Sequence, residues 1–463
     1  MSEPPPLGVN GWRTIGVTAA ASFMVSMELT VISLAFPQIR ARFPDASEEL
    51  LSWVFSGYSI GVASLLLIGG WLAGNYGNKR VFLGGLAVFL AGSILAGAAQ
   101  SAEMLIAARV VQSVGGAFQF PSGLALLLTA VPPARHQMAI GIWGAAGALA
   151  AALGPTLGAL LVDGFGWRAV FLINVPVIGL GTVLALAWLP TDEPSGDSGR
   201  VDLVGVPLAG VGVGAMVLGI VQGNAWGWGS TRVVVSFMAA AGLISLFIVR
   251  SLRHPRPLFD LSLFRLRSYA TANIATMLFG IAFFGWLVPL PTLLQDLWGW
   301  SVLETGFAIA PGPFLAFLIA PQAGRLADRT GNRPILTVCG ISGAVGMLLQ
   351  SRNFGVEPQY VSDVLLPGLF FGIAAGTGFP QLVGATMRDV PARQYAMAGA
   401  GRTTVFQVSI ALAIAIAVAV IGRPSGTGAT LEAYDTQWFI CGTAYALLSI
   451  VIFFGYPTQV RSS

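Results

Sequence analysis

Apolar runs of twenty or so residues recur along almost the whole chain, separated by short polar or Gly- and Pro-rich connections. A helix rises about 1.5 Å per residue, so roughly 20 apolar residues cross the hydrocarbon of a bilayer. Such runs fall at Trp12 to Pro37 and near 50–73, 80–99, 104–130, 137–162, 169–190, 203–222, 232–250, 270–295, 302–323, 334–350, 361–386, 396–421 and 437–456. The pattern predicts an all-α membrane protein of fourteen spans, and an even number puts both termini on one side. Two connections are longer and more polar than the rest, Thr191 to Asp202 and the Arg- and Pro-rich Ser251 to Ser268. They divide the chain into an N-terminal six-helix bundle (1–190), a linker with two extra transmembrane helices (191–268) and a C-terminal six-helix bundle (269–463).

Composition agrees with this reading and fixes the orientation. The 463 residues are 55% hydrophobic and 10% charged, far from the roughly 25% charged of a soluble domain. If the N-terminus is inside, seventeen of the 24 basic residues fall on inner loops and tails and six on outer ones, with Arg109 inside a span. Positive-inside bias then predicts cytoplasmic termini. Spread through short loops, these charges form no patch for nucleic acid. The N-terminus lacks the basic flank and cleavage site of a signal peptide, so the first span is expected to stay. Cys339 and Cys441 lie in apolar runs and His136 and His254 in loops, which offers neither a disulfide framework nor a metal site. Gly57-Tyr-Ser-Ile-Gly61 has nucleophile-elbow spacing but sits inside a span with no strand before it. With no P-loop and no His-Glu-x-x-His, neither an enzyme nor an ATP-driven pump is expected.

The charges that do enter the apolar runs carry the chemistry. Glu28 lies roughly 13 Å from Pro37 along the first span, too deep to reach the surface. An ionised acid there costs about 2.5 to 3.5 kcal/mol on insertion scales, so it is protonated, paired or facing water. Each state suits a carrier of protons or cations; the plainer alternative is an acid that only clamps a neighbouring helix. Arg109 lies about 9 Å into the fourth span from Glu103, at a comparable depth. The two are expected to share a cavity; otherwise Arg109 bonds only backbone carbonyls or Gln112.

The halves repeat. Gly70-Trp-Leu-Ala-Gly-Asn-Tyr-Gly-Asn-Lys-Arg80 and Gly324-Arg-Leu-Ala-Asp-Arg-Thr-Gly-Asn-Arg-Pro334 share Gly, Leu, Ala, Gly and Asn at matching positions, each after the second span of its block. Parallel repeats of this kind build many secondary transporters, with the substrate site between them.

These paired loops resemble the signature loops of the major facilitator superfamily. Met27-Glu-Leu-Thr-Val-Ile-Ser-Leu-Ala-Phe-Pro37 and Trp167-Arg-Ala-Val-Phe-Leu-Ile-Asn-Val-Pro176 are similar to the first- and sixth-span motifs of its fourteen-span drug:proton antiporter branch. Gly154-Pro155-Thr-Leu-Gly158 resembles the fifth-span antiporter motif, and Arg109-Val-Val-Gln112-Ser-Val-Gly-Gly-Ala117 the fourth-span motif. Pro289-Leu-Pro-Thr-Leu-Leu-Gln295, followed by Gly299-Trp-Ser301, resembles the start of the second half. The resemblance covers nearly the whole chain. It implies Glu28 and Arg109 in proton coupling, with Gly154, Pro155 and Gly158 sealing or hinging the transition. It also implies a gate in the paired loops, at Gly70, Gly77, Arg80, Gly324, Asp328, Arg329, Gly331 and Arg333. There Gly74 and Asn75 replace the acid and base of the first copy, so its latch is expected to be weaker. Arg402 and Phe406 also depart from the family pattern; Arg402 either reaches the inner surface or enters the cavity and favours anions.

A substrate cavity lined by Glu28, Gln112, Phe283, Trp286 and Gln295 suits a lipophilic guest. The expectation is a proton-coupled antiporter that exports lipophilic or amphipathic drugs by alternating access. It would act as a monomer in lipid, in a bacterial plasma membrane, drawing on the proton gradient without a cofactor. The alternatives are a dedicated exporter of one endogenous metabolite, lipid or antibiotic, and a non-transporting sensor on the same fold.

Overall fold

The computed structural model describes residues 7–190, 202, 204–254, 257–422 and 426–458. Fourteen helical rods follow one another among them, each falling on one of the apolar runs. The first eight are α1 (Val9–Arg42), α2 (Glu48–Tyr76), α3 (Asn78–Gly97), α4 (Ala102–Ala130), α5 (His136–Phe165), α6 (Ala169–Trp188), α7 (Gly205–Trp226) and α8 (Thr231–Arg253). The other six are α9 (Arg267–Trp298), α10 (Glu304–Thr330), α11 (Asn332–Asn353), α12 (Val361–Met387), α13 (Tyr395–Ile421) and α14 (Thr427–Gly455). Counted over the described residues, twelve of them, α2 to α4 and α6 to α14, are long and apolar enough to cross a membrane. The fourteen-span expectation is thus met for twelve. The other two, α1 and α5, run for 34 and 30 residues and include side chains outside the described set, Pro155 among them.

Local chemistry sets where the rods begin and bend. Ser47, Ser101, Ser230 and Ser301 each accept a backbone N–H in the first turn of the helix that follows, and Glu304 completes a capping box with Ser301. Gly77 and Gly331 have φ of +94° and +82°, a left-handed turn that glycine adopts without strain. They stand at matching places in the two signature loops and let α3 and α11 start at once. Three rods are jointed, at Ile173 in α6, Val288 in α9 and Ala310 in α10. A proline follows each joint within three residues and withholds an N–H from the helical ladder.

By contacts the chain separates into two compact units. The first comprises Met1–Pro133, Leu153–Leu263 and Val390–Thr404. Within it α4 is central, packed against α1, α2 and α3, while α6 lies on α1 and α3 and α7 lies on α2 and α8. Small residues make the α3–α4 contact close: a Cβ on Gly92 would stand 2.6 Å from Cγ and 2.7 Å from the backbone N of Gln112. Ahead of α7, buried Asp202 accepts from the Gly205 N–H at 2.8 Å and from Arg250 Nε at 2.6 Å. Burial pushes this carboxyl up, but the Gly205 amide and the Arg250 guanidinium outweigh it and hold it below the usual aspartate range.

The second unit comprises Ala134–Ala152, Phe264–Asp389 and Val405–Ser463. In it α12 packs on α10 and α11, and α14 on α9 and α11. Its core is aromatic, with Phe279, Trp286, Phe371, Trp438 and Tyr445 all buried.

Two outcomes are expected from this packing. Gly92→Ala forces the α3–α4 contact apart and lowers stability in detergent by about 1–3 kcal/mol, whereas Gly84→Ala, with open space around it, does not; thermal unfolding of the two variants checks this. Because the folded-state value of Asp202 is depressed, its contribution is complete above the unfolded value of about 3.9 and fades as pH falls through the folded one. Asp202→Asn therefore costs about 1–2 kcal/mol at neutral pH, and the gap from wild type narrows in acid.

Candidate functional site

The two charged residues that stand out within the apolar runs meet. Glu28 on α1 is 2% exposed and Arg109 on α4 is 1% exposed, and Arg109 Nη1 is bonded to Glu28 Oε1. The same nitrogen donates to Gln112 Oε1, one turn along α4, at 2.8 Å. Arg109 Nε donates to the Val54 carbonyl of α2 at 3.0 Å. The guanidinium carbon lies 4.3 Å from the centre of the Tyr58 ring and 5.8 Å from that of Phe171. The acid and the narrower alternative for Arg109 are thus both present: it holds a carbonyl and Gln112, and Glu28 as well.

Glu28 has a second partner. Its Oε2 accepts from Asn174 Nδ2 at 3.0 Å, and that Nδ2 also lies 3.2 Å from Ser93 Oγ. Ser93 Oγ accepts from Gln112 Nε2 at 2.8 Å and donates to the Phe89 carbonyl at 2.9 Å. The chain of bonds closes on itself through Glu28, Arg109, Gln112, Ser93 and Asn174, joining α1, α4, α3 and α6. An ion pair in so dry a place is sustained only where the remaining donors and acceptors are satisfied. Two buried atoms of the cluster have no hydrogen-bond partner among the described residues, Tyr58 Oη and Asn174 Oδ1.

Asn174 is delivered by α6. Its side chain lies at the first residue beyond Ile173. The segment before the joint is anchored by Gln38, which accepts from the Trp167 N–H at 2.9 Å and donates to the Val162 carbonyl at 3.2 Å. Trp167 in turn packs edge-on against Phe43 and Phe171.

Of the other candidates, Phe283 lies stacked between Phe279 and Phe371, at 5.3 and 4.6 Å. Trp286 is buried against Phe371 and donates to Gln350 at 3.4 Å, so in this state it belongs to the core of its unit. Gln295, half-buried, donates to the Pro291 carbonyl of its own helix. Gly154 and Gly158 are buried in α5, while the side chain of Pro155 lies outside the described residues. Arg402 is buried, at 2% exposed.

The two signature loops differ in substance. In the second, Asp328 accepts from the backbone N–H groups of Gln137 and Met138, at 3.0 and 3.1 Å, at the positive end of α5. Gly324 lies against the Gln137 carbonyl, and Asn332 donates to Gln137 Oε1 at 2.8 Å. Arg333 bonds the Phe453 carbonyl and covers its ring, while Arg329 is exposed. In the first loop Gly70 lies similarly against the Ala396 carbonyl, but Gly74 brings no carboxylate and Arg80 is exposed.

The family profile described as Major Facilitator Superfamily matches residues 18–414. The chain belongs to the major facilitator superfamily. Among curated relatives, multidrug resistance protein Stp of Mycobacterium tuberculosis is 34% identical over 391 residues, 83% of this chain and 71% of that protein. The tetracenomycin C resistance and export protein of Streptomyces glaucescens is 32% identical, over 88% of this chain and 76% of that one. The methylenomycin A resistance protein of Bacillus subtilis is 29% identical over 96% and 94%. Two solved structures share the fold at 14% identity. They are the human organic anion transporter MFSD10 (TM-score 0.70, covering 97% of this chain and 100% of that one) and the proton:xylose symporter XylE (0.68, 97% and 96%).

As a major-facilitator chain this is a membrane protein of the transporter class, and its buried cluster contains members that the sequence left without a role. Asn174 was visible inside the sixth-span motif, and Ser93 and Tyr58 lay in apolar runs. A neutral polar residue between two apolar ones is the available signal, but many spans hold such residues bonded harmlessly to their own helix, as Ser59 and Thr182 are here. At the loop, Asp328→Ala leaves two amides at the start of α5 without their acceptor. The expected loss is about 1–2 kcal/mol, read by thermal unfolding in detergent.

Proposed function

We propose that this transporter is a proton-coupled antiporter that exports lipophilic or amphipathic compounds, drugs among them, across a bacterial plasma membrane by alternating access. The observation that carries the reading is the ion pair of Glu28 and Arg109, sealed from solvent among helices of membrane-spanning length. The names of the relatives, which speak of multidrug resistance and of resistance to single antibiotics, support export as the direction. In this reading α1 and α5 also span, giving fourteen crossings with cytoplasmic termini, and α7 and α8 are the extra pair between two six-helix bundles. The chain works as a monomer on protons and a small lipophilic substrate, with no cofactor.

The coupling follows from electrostatics. A proton arriving from outside on Glu28 cancels its charge, and the attraction that ties α1 to α4 goes with it. Arg109 keeps Gln112, the Val54 carbonyl and the Tyr58 face, so it stays in place while α1 is released. Exit of the proton inside restores the pair, and substrate and proton bind alternately. One proton moving down 100 mV supplies about 2.3 kcal/mol, enough to hold a neutral compound at roughly a fifty-fold gradient.

Glu28→Gln keeps the shape and the bond from Asn174 but cannot ionise. In inverted vesicles it is expected to reach the membrane and lose proton-driven export by about 100-fold, with Glu28→Asp retaining part. Export that still follows the proton gradient in the Gln variant refutes the assignment. A panel of chemically diverse compounds separates a broad exporter from a dedicated one.

A further inference from the structure

Among the described residues two side chains bond the Glu28 carboxylate, and they differ in one respect that matters for a proton site. Arg109 carries donors alone, so it can hold the ionised acid and has nothing to offer the hydroxyl of the protonated one. Asn174 carries both. Its Nδ2 is committed to Glu28 Oε2 and Ser93 Oγ, whereas its Oδ1, in a residue that is fully buried, has no partner among the described residues. A buried amide oxygen left in this way costs on the order of 1–3 kcal/mol unless another state of the protein uses it.

We propose that Asn174 is the positioning residue for proton exchange at Glu28, its Nδ2 holding the carboxylate and its Oδ1 receiving the hydroxyl of the acid once the amide turns over. This rests on the coupling role proposed above for Glu28. The proton adds to Oε2, the bond from Nδ2 to that oxygen is lost, and one from the new O–H to Oδ1 replaces it; no covalent bond of the chain breaks. Half a turn about the last side-chain torsion exchanges donor for acceptor without moving the backbone, since the two ends of a primary amide have nearly the same shape. Ser93 meanwhile keeps its bond from Gln112 Nε2 and its own bond to the Phe89 carbonyl. Other charged or titratable groups against the acid are few: Arg109 from α4 and Tyr58 from α2, while α3 and α6 supply the neutral Ser93 and Asn174.

Infrared titration of the purified full-length protein tests this without knowledge of the substrate. The carboxylic C=O band that disappears in Glu28→Gln reports Glu28, and its intensity is followed against pH. In Asn174→Ala the charge-assisted donor is gone, so the midpoint of that band moves up by about one pH unit, tenfold in proton concentration. The band itself moves to higher frequency because the hydroxyl has lost its acceptor. Asn174→Asp, which nearly preserves volume, removes the donor and adds a second acid, so its midpoint rises further and decides the matter if the Ala variant does not fold. Midpoint and frequency both unchanged in either folded variant overturn the proposal for Asn174. If Glu28→Gln removes no titrating band at all, it is the coupling role of Glu28 that fails instead.

Discussion

A carboxylate and a guanidinium held together out of reach of water are the constraint from which the rest of the first unit can be read. Separately, each would be costly to bury; together they are tolerable because the bonds with Gln112, Asn174 and the Val54 carbonyl meet most of what the charges leave open. This requirement accounts for features that look unrelated along the chain. Gly92 lacks a side chain so that Gln112 can pass close to α3 and bond Ser93. Tyr58 turns its face to Arg109, and α6 presents Asn174. Four helices are thus tied at one level by bonds whose strength depends on whether a single proton is present.

The second unit is built on a different principle. Its interior is a stack of aromatic rings, with Trp286, Phe371, Phe283 and Phe279 in succession, crossed by neutral links such as that from Trp286 to Gln350. The buried ion pair thus sits in the first unit, and the run of packed rings in the second.

Much of this was legible in the sequence because charge in an apolar run is conspicuous. Glu28 and Arg109 could be paired from depth alone, and the fourteen apolar runs each became a helix. What was not legible depends on proximity between distant residues. Asn174 lies 146 positions from Glu28, and nothing in the residues around it distinguishes a ring member from a serine or threonine bonded within its own helix. Trp286 shows the converse limit: an aromatic at the right level of a span looks like a cavity wall until its neighbours are known, and here they enclose it. Arg402, expected either at the inner surface or in the cavity, is buried, which the residues around it in sequence do not foretell.

The divergence of the two signature loops has a consequence for robustness. An internally duplicated chain ordinarily carries a spare for each fastening, but with glycine at position 74 the grip that Asp328 exerts on the start of α5 has no twin. The task falls to one acid, so a lesion there meets no matching carboxylate at position 74.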